Sequence, residues 1–245
     1  MNKIRLVIFD LSGTTVEDDN AVAKSLHKAA SEYNLSVSLQ EIEQSIGTNK
    51  IHLYQYLIAR SHGENLRFED FEKYSMPEIE NEAIIIFKRY SEIMIDYYRK
   101  NVKAMEGAEQ TFDWLHKNGI KVATDTGFHR DVTNAIMDKL RWVERGLTDL
   151  SVDVESTNGV GRPAPFMIFH AMEKLGIQSV HEVAKIGDTP ADLLSGHNAG
   201  CKWNIGVLSG ANNRTILEKY YHTHILPNVN YLPDIIEKNI RKELP

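Results

Sequence analysis

The chain opens with a nearly continuous apolar run. Residues 4–9 (Ile-Arg-Leu-Val-Ile-Phe) contain one charged position, Arg5, and the run ends directly before Asp10. A run without polar alternation is typical of a strand that is buried on both faces of a parallel sheet. We therefore predict a buried parallel strand at the start of the chain, with Asp10 at its carboxyl end.

The pattern changes to a helical period after about residue 20. Apolar residues there recur three or four positions apart, which is the period of an amphipathic helix. The stripes include Val22, Leu26, Ala29 and Tyr33, then Leu53, Tyr56 and Leu57, and a longer pattern from residue 79 to residue 98. The region shows no convincing strand pattern, so we predict an all-helical module over residues 17–103.

Strand and helix patterns alternate from residue 105 onwards. The predicted helices cover residues 108–117, 131–140, 165–175, 191–199, 215–220 and 233–238, and the predicted strands cover residues 120–124, 183–186, 205–208 and 224–226. Gly119 and Gly176 provide helix C-caps. Alternating strands and helices imply right-handed crossovers and a parallel sheet covered on both faces. We predict an α/β fold with the helical module inserted after its first strand.

Composition narrows the class of protein. The 245 residues are 42% hydrophobic and 25% charged, with a formal net charge of −6 and no block of basic residues, so nucleic acid is not an expected partner. The single cysteine, Cys201, fits a reducing compartment. The longest purely apolar stretch, residues 83–87, is too short to cross a bilayer. We expect a cytoplasmic protein with no membrane partner, either a monomer or a homodimer.

Polar segments stand where the predicted sheet would present its carboxyl edge. Residues 10–15 (Asp-Leu-Ser-Gly-Thr-Thr) follow the first strand, and residues 124–127 (Thr-Asp-Thr-Gly) end the second. Residues 187–192 (Gly-Asp-Thr-Pro-Ala-Asp) follow a later strand, and residues 161–163 (Gly-Arg-Pro) precede a helix. Ligands bind beyond the carboxyl ends of strands in open α/β sheets, so we expect these segments to converge.

Carboxylates, a hydroxyl and a cation at one place point to phosphoryl chemistry. Carboxylates that meet at one point repel one another unless a cation joins them, which makes a site for Mg²⁺. A carboxylate beside that metal can attack phosphorus and form an aspartyl-phosphate, and Asp10 is the candidate. Arg162, Thr126 and turn amides would neutralise the phosphoryl oxygens. Gly13 would let the backbone come close to them.

The same segments, taken in order, resemble the four motifs of the haloacid dehalogenase (HAD) superfamily. They are Asp-x-x-Gly-Thr from residue 10, a threonine at the end of the second strand, a lone cation, and Gly-Asp-Thr-x-x-Asp from residue 187. The helical module resembles that family's cap domain. The resemblance implies a hydrolase with a Rossmann-like core over residues 1–16 and 104–245 and an inserted all-helical cap of the C1 type over residues 17–103.

The resemblance also implies residue roles. Asp10 would be the covalent nucleophile, and Mg²⁺ would be the cofactor. The implied metal ligands are the Asp10 carboxylate, the Ser12 carbonyl and Asp188, supported by Asp192 and Thr189. The implied phosphoryl-binding residues are Gly13, Thr126, Gly127 and Arg162.

Ser12 stands where phosphatases of the superfamily usually carry a second aspartate, which protonates the leaving group and later activates water. A hydroxyl is too weak an acid and base near pH 7 to replace it. Phosphonatases (phosphonoacetaldehyde hydrolases) are a branch with a small residue at this place. Residues 46–51 (Ile-Gly-Thr-Asn-Lys-Ile) resemble their cap segment, which implies that Lys50 forms a Schiff base with the substrate aldehyde. Asp10, Ser12 and Lys50 form the predicted catalytic set.

Other interpretations stay open. The chain departs from the phosphonatase pattern where that branch has Trp, Met, His and Tyr, namely at Leu11, Ile46, Leu53 and Phe128. Lys50 can also be a solvated lysine or a phosphate-binding charge. The substrate is expected to be a small phosphonate or a phosphorylated metabolite. The alternatives are a phosphomonoesterase of the phosphoglycolate phosphatase type, in which Glu17 or Asp18 supplies the acid, a dehalogenase, and a non-catalytic phosphate-binding relative.

Overall fold

A computed structural model of the protein describes residues 3–46, 49–73 and 76–243. Its strands are β1 (Leu6–Asp10), β2 (Lys121–Asp125), β3 (Leu150–Val152), β4 (Val183–Gly187), β5 (Trp203–Val207) and β6 (His224–Leu226). Its helices are α1 (Ala21–Glu32), α2 (Leu39–Ser45), α3 (Lys50–Ser61), α4 (Pro77–Asn101), α5 (Ala108–Lys117), α6 (Arg130–Leu140), α7 (Phe166–Leu175), α8 (Pro190–Ala199), α9 (Arg214–Leu217) and α10 (Leu232–Glu243). Short 3₁₀ turns cover Phe68–Lys73, Val154–Thr157, Val180–Glu182 and Val229–Tyr231.

The six strands form one sheet in the order β3-β2-β1-β4-β5-β6, and every neighbouring pair is parallel. The chain adds strands on one side of β1 and then crosses to the other side with β4. Loops leave β1 and β4 in opposite directions at this reversal, which opens a crevice at their carboxyl ends. The predicted α/β class with a Rossmann-like parallel sheet is confirmed.

Strand β1 lies at the centre of this sheet, and all five of its residues are buried. Leu6 and Ile8 face one side, in a cluster that includes Met167 of α7. Phe9 faces the other side and meets Phe112 of α5 edge to face, with ring centroids 5.1 Å apart. Truncating such a buried phenylalanine typically costs about 3–5 kcal/mol. The apolar run before Asp10 therefore fixes the nucleophile candidate on a rigid strand.

The chain divides into two compact units, residues 1–18 with 102–245, and residues 19–101. Within the described residues of the second unit, every regular element is helical, and α4 packs against both α1 and α3. The predicted stripes are buried at Val22, Leu26, Ala29, Leu53, Tyr56 and Leu57. Tyr33 is exposed because it follows the last residue of α1 as its C-cap.

Some elements differ from the sequence prediction. Strand β3 was not predicted, because its three residues are too few to show a period and it lies at the sheet edge. Strand β5 begins at Trp203, two residues before the predicted start at residue 205, and α9 has only four residues. Among the described helices, none combines the length and the apolar character that a membrane crossing would need.

Candidate active site

The loop after β1 is a tight turn built around Leu11 and Gly13. The backbone N–H groups of Thr15 and Val16 donate to the Leu11 carbonyl at 2.9 and 2.7 Å. The Thr15 hydroxyl donates to the Asp10 carbonyl at 2.8 Å. Gly13 has a φ of 79°, a left-handed conformation that a side chain disfavours. The turn keeps Asp10, which is 3% exposed, at the carboxyl edge of the sheet.

Asp188 follows β4 and sits in a close-fitting polar cradle. The amide of Ala211 donates to its Oδ2 at 2.7 Å, and the hydroxyl of Thr14 donates to its Oδ1 at 3.2 Å. A Cβ atom on Gly13 would lie 2.8 Å from Asp188 Oδ2, and one on Gly210 would lie 2.1 Å from the same atom. The two glycines therefore leave just enough room for this carboxylate.

Arg162 is the cation nearest Asp10 among the described residues. Its Nη1 lies 2.7 Å from Asp10 Oδ1 and 3.8 Å from Asp125 Oδ1, and it also donates to Asp192 Oδ1. The side chain is only 10% exposed. Gly127 lies next to the guanidinium, since a Cβ there would be 3.5 Å from Nη2 of Arg162. Arg162, from the segment before α7, thus contacts Asp10 at the end of β1 and lies next to Gly127 after β2.

A second cation, Lys185, lies within the same cluster. Its Nζ donates to Asp125 Oδ1 at 2.7 Å and to Asp192 Oδ1 at 2.8 Å. The other oxygen of Asp192 accepts from the Thr189 hydroxyl at 2.6 Å, in a capping box that starts α8. A Cβ on Gly187 would lie 2.0 Å from the Asp192 carboxyl carbon, so only glycine at this position leaves room for the Asp192 side chain.

Burial and the neighbouring charges shift the pKa values of three carboxylates in this cluster. Burial, with Asp192 and Asp188 nearby, raises the pKa of Asp10 well above its ordinary value although Arg162 opposes the shift. Burial and then Asp192 raise the pKa of Asp188 to about 6. Burial also disfavours ionisation of Asp192, but Arg162 and Lys185 outweigh it and lower its pKa to about 2. Asp10 and Asp188 are therefore the carboxylates that a further cation would stabilise as anions.

The charges of this cluster fit a divalent cation. Its four carboxylates are Asp10, Asp125, Asp188 and Asp192, and its two cations are Arg162 and Lys185. With all four carboxylates ionised, four negative and two positive charges leave two negative charges. Oxygens of Asp10, Asp125 and Asp192 lie within 4.8 Å of one another, so this acidic group could hold a metal ion. Arg162 and Lys185 already contact that trio, whereas the described partners of Asp188 are neutral donors.

Thr126 and Ser12 line the same edge of the sheet. The Thr126 amide donates to the Val152 carbonyl of β3 at 3.0 Å, and its hydroxyl accepts from the Phe128 amide at 3.2 Å. The Ser12 hydroxyl donates to Asp18 Oδ2 at 3.0 Å. A carboxylate therefore stands beside Ser12, although it comes from six residues further along the chain.

Lys50 belongs to the second unit and begins α3. Its Nζ donates to the Ser45 carbonyl at the end of α2, at 2.6 Å. The Asn49 side chain caps α3 by accepting from the amides of Ile51 and His52. Gly47 and Thr48, which belong to the predicted cap segment, lie outside the described residues. The assignment of Lys50 to the site stays a prediction.

Three features of the site escaped sequence reasoning. Lys185 interrupts the apolar sequence of β4 two residues before Gly187. This interruption is the only feature of the sequence that could indicate a role for Lys185 in the site. Asp125 lies within the Thr-Asp-Thr-Gly segment, but nothing in that segment indicates its ion pair with Lys185. The Asp188 contacts of Gly210 and Ala211 could be suspected only from their position after β5. Cys201 is buried, and burial raises the pKa of its thiol to about 12, which disfavours the nucleophilic thiolate.

The chain is similar to known proteins over most of its length. Residues 7–205 match the family model described as haloacid dehalogenase-like hydrolase. The chain is 26% identical to a phosphonoacetaldehyde hydrolase of Bacteroides fragilis, over 93% of this chain and 84% of the relative. It is 29% identical to a phosphonoacetaldehyde hydrolase of Lactiplantibacillus plantarum, over 85% of this chain and 77% of the relative.

A solved structure shares the fold. The crystal structure of a phosphonoacetaldehyde hydrolase-like protein from Oleispira antarctica superposes with a TM-score of 0.80. The alignment covers 98% of this chain and 94% of that one, at 19% sequence identity. At this identity the similarity concerns the fold alone.

Proposed function

Because the chain belongs to the haloacid dehalogenase-like hydrolase family, we propose that it is a Mg²⁺-dependent phosphonatase that cleaves the P–C bond of a phosphonoacetaldehyde-like phosphonate. The observation that carries the proposal is the contact of Arg162 with buried Asp10, 2.7 Å apart, at the edge of the sheet where Asp188 follows the neighbouring strand β4. A nucleophile, a cation for the phosphoryl oxygens and a second carboxylate then meet at one point.

The metal assignment follows from the charge balance. The Asp10 carboxylate, the Ser12 carbonyl and Asp188 would hold Mg²⁺, with Asp192 and Thr189 in support. Oxygen ligands suit Mg²⁺, and Asp10 and Asp188 are buried carboxylates whose pKa values stay raised although Arg162 opposes the shift in both, so a further cation would stabilise their anions. When bound, Mg²⁺ would neutralise the phosphoryl oxygens and the Asp10 carboxylate as they approach each other.

The proposed reaction uses Lys50 first and Asp10 second. The Lys50 amine first condenses with the substrate aldehyde and releases water. An Asp10 oxygen then attacks phosphorus, and the electron pair of the breaking P–C bond moves into the protonated imine, whose nitrogen keeps its proton as the enamine forms. Water hydrolyses the aspartyl-phosphate to inorganic phosphate. The enamine takes up a proton, and its hydrolysis returns the Lys50 amine and releases acetaldehyde.

This route explains Ser12 in chemical terms. An enamine leaves without a proton donor at the second position after the nucleophile, so a serine there suffices. Arg162, Thr126, Gly127 and the turn at Gly13 would bind the phosphoryl oxygens. Support for the substrate class comes from the two relatives named phosphonoacetaldehyde hydrolase, at 26% and 29% identity.

One observation favours a second candidate, a phosphomonoesterase of the phosphoglycolate phosphatase type. The Ser12 hydroxyl donates to Asp18 at 3.0 Å, so a carboxylate stands next to the place of the missing acid. In that enzyme Asp18 would protonate the leaving alcohol and Lys50 would not be needed. A non-catalytic phosphate-binding protein is the third candidate, and Mg²⁺-dependent turnover that disappears in Asp10→Asn excludes it.

The test compares phosphate release from phosphonoacetaldehyde and from p-nitrophenyl phosphate, both with Mg²⁺. The variants are Asp10→Asn, Lys50→Arg and the control Lys24→Arg, whose amine likewise donates to a backbone carbonyl, that of Asp19 at 2.7 Å. We expect wild type and Lys24→Arg to cleave phosphonoacetaldehyde, and Lys50→Arg to lose this activity.

Borohydride treatment with phosphonoacetaldehyde should add a reduced imine to Lys50, detectable by mass spectrometry. Asp10→Asn should abolish turnover and keep the borohydride product, because imine formation precedes attack on phosphorus. Cleavage of only the phosphate ester, with Lys50→Arg as active as Lys24→Arg, would replace the phosphonatase proposal with the phosphatase.

A further inference from the structure

Lys185 is a charged side chain in the interior of the sheet. It lies on β4 with 1% of its side chain exposed, and lysine is almost never fully buried without partners. All three ammonium donors are used, by Asp125 and Asp192 at 2.7 and 2.8 Å and by the Ile186 carbonyl at 3.2 Å. Burial alone would lower the pKa of Lys185, but Asp125 and Asp192 raise it, so the ammonium stays charged.

Lys185 and Arg162 share their anionic partners. Oδ1 of Asp192 accepts from both cations. Oδ1 of Asp125 lies 2.7 Å from Lys185 Nζ and 3.8 Å from Arg162 Nη1. The guanidinium is also in contact with Asp10, at 2.7 Å. Three carboxylates thus compete for two cations in a single buried cluster.

Removal of Lys185 would change that competition. Asp125 and Asp192 would keep Arg162 as their one cation among the described residues of the cluster. Oδ2 of Asp125 is buried and has no hydrogen-bond partner among the described residues, so this carboxylate could accept a guanidinium donor. Charges attract strongly in a buried site, so Arg162 would be drawn away from Asp10.

We propose that Lys185 is a positioning residue which, by holding Asp125 and Asp192, keeps the guanidinium of Arg162 against Asp10, where it meets the phosphoryl group. The inference rests on the phosphoryl site of the proposed function and on no particular substrate. Lys185 acts through Arg162 and does not touch the substrate.

The test is a double-mutant cycle on inorganic phosphate binding, measured by calorimetry with Mg²⁺. Lys185→Met and Arg162→Ala should each weaken phosphate binding on the order of tenfold, the loss expected for one charge-assisted hydrogen bond. If Lys185 acts through Arg162, the double variant binds phosphate no more weakly than Arg162→Ala alone. Multiplying effects, or wild-type affinity in Lys185→Met, would overturn the proposal.

Further variants separate positioning from stability. Lys121→Met removes an exposed lysine from β2, which lies on the other side of β1 from Lys185, and should leave phosphate affinity unchanged. Lys185→Met combined with Asp125→Asn removes the unpaired carboxylate too, so it should recover most of the lost affinity. Lys185→Gln, which keeps a hydrogen-bond donor, replaces Lys185→Met if that variant does not fold. Loss of thermal stability with unchanged phosphate affinity would contradict the proposal.

Crystal structures distinguish a failure of this inference from a failure of the proposed function. If the wild-type protein binds no phosphate, the proposed function fails by itself. Crystal structures of wild type and Lys185→Met then decide about Lys185. A guanidinium that leaves Asp10 for Asp125 supports the positioning role, and one that stays on Asp10 overturns it.

Discussion

The Oδ2 atom of Asp188 lies 2.8 Å from the point where a Cβ atom on Gly13 would stand. These residues are 175 positions apart, and they meet because β1 and β4 are neighbours in the sheet. Gly13 therefore has two separate reasons to be glycine, its φ of 79° and the space that Asp188 occupies.

Gly13→Ala should lower Mg²⁺ affinity and activity, because the new methyl group displaces the Asp188 carboxylate. Gly159→Ala is the matched control, since Gly159 has a φ of 82° and nothing within 4 Å of its Cβ position. Both variants should lose about 1–2 kcal/mol of stability through the left-handed backbone. Unfolding in urea and Mg²⁺ titration measure the two effects, and equal Mg²⁺ affinity in the two variants would contradict the cradle described for Asp188.

The metal-free protein should lose stability as the pH rises from about 4 to about 7. The pKa of Asp188 is about 6 in the folded protein, above the ordinary aspartate value of 3.8, so the folded state holds the proton more tightly. Stability then falls as this proton is lost, by on the order of 3 kcal/mol for Asp188 alone. Urea unfolding in EDTA at several pH values measures the slope.

Two comparisons test whether Asp188 causes this dependence of stability on pH. Asp188→Asn should be less sensitive to pH over the same window, because it cannot ionise. Mg²⁺ should stabilise the wild type more at pH 8 than at pH 5, since the metal binds the ionised carboxylate. A metal-free wild type that becomes more stable with rising pH would show that Asp188 is not the controlling group.

Asp192→Asn should destabilise the protein by about 3–5 kcal/mol at neutral pH, the typical cost of breaking a buried ion pair. The carboxylate accepts from Arg162, Lys185 and Thr189, and its pKa of about 2 lies below the ordinary aspartate value of 3.8. This stabilisation is present above about pH 4 and is lost as the pH falls through 2. Urea unfolding measures the free energy of unfolding of Asp192→Asn and of the surface variant Asp113→Asn. Equal free energies in the two variants would contradict the stabilising role of Asp192.

Much of the fold could be predicted because local chemistry determines it. The helix predicted at residues 108–117 matches α5 at both ends, since Gly107 and Asn118 cap it. Gly176 ends α7 in the left-handed conformation, as expected of a C-cap glycine. Strand β3 could not be predicted, because its three residues depend on pairing with β2 and not on a pattern of their own.

Periodicity and turn chemistry are local properties, so the α/β class, the buried strand before Asp10 and the polar segments at the carboxyl edge can be predicted from the sequence alone. Which charges meet depends on the tertiary structure. Lys185 and Asp125 are 60 residues apart, on two strands that both pair with β1. A lysine in an apolar strand acquires its role only when the sheet brings Asp125 and Asp192 to it, and this burial makes its charge influence Arg162.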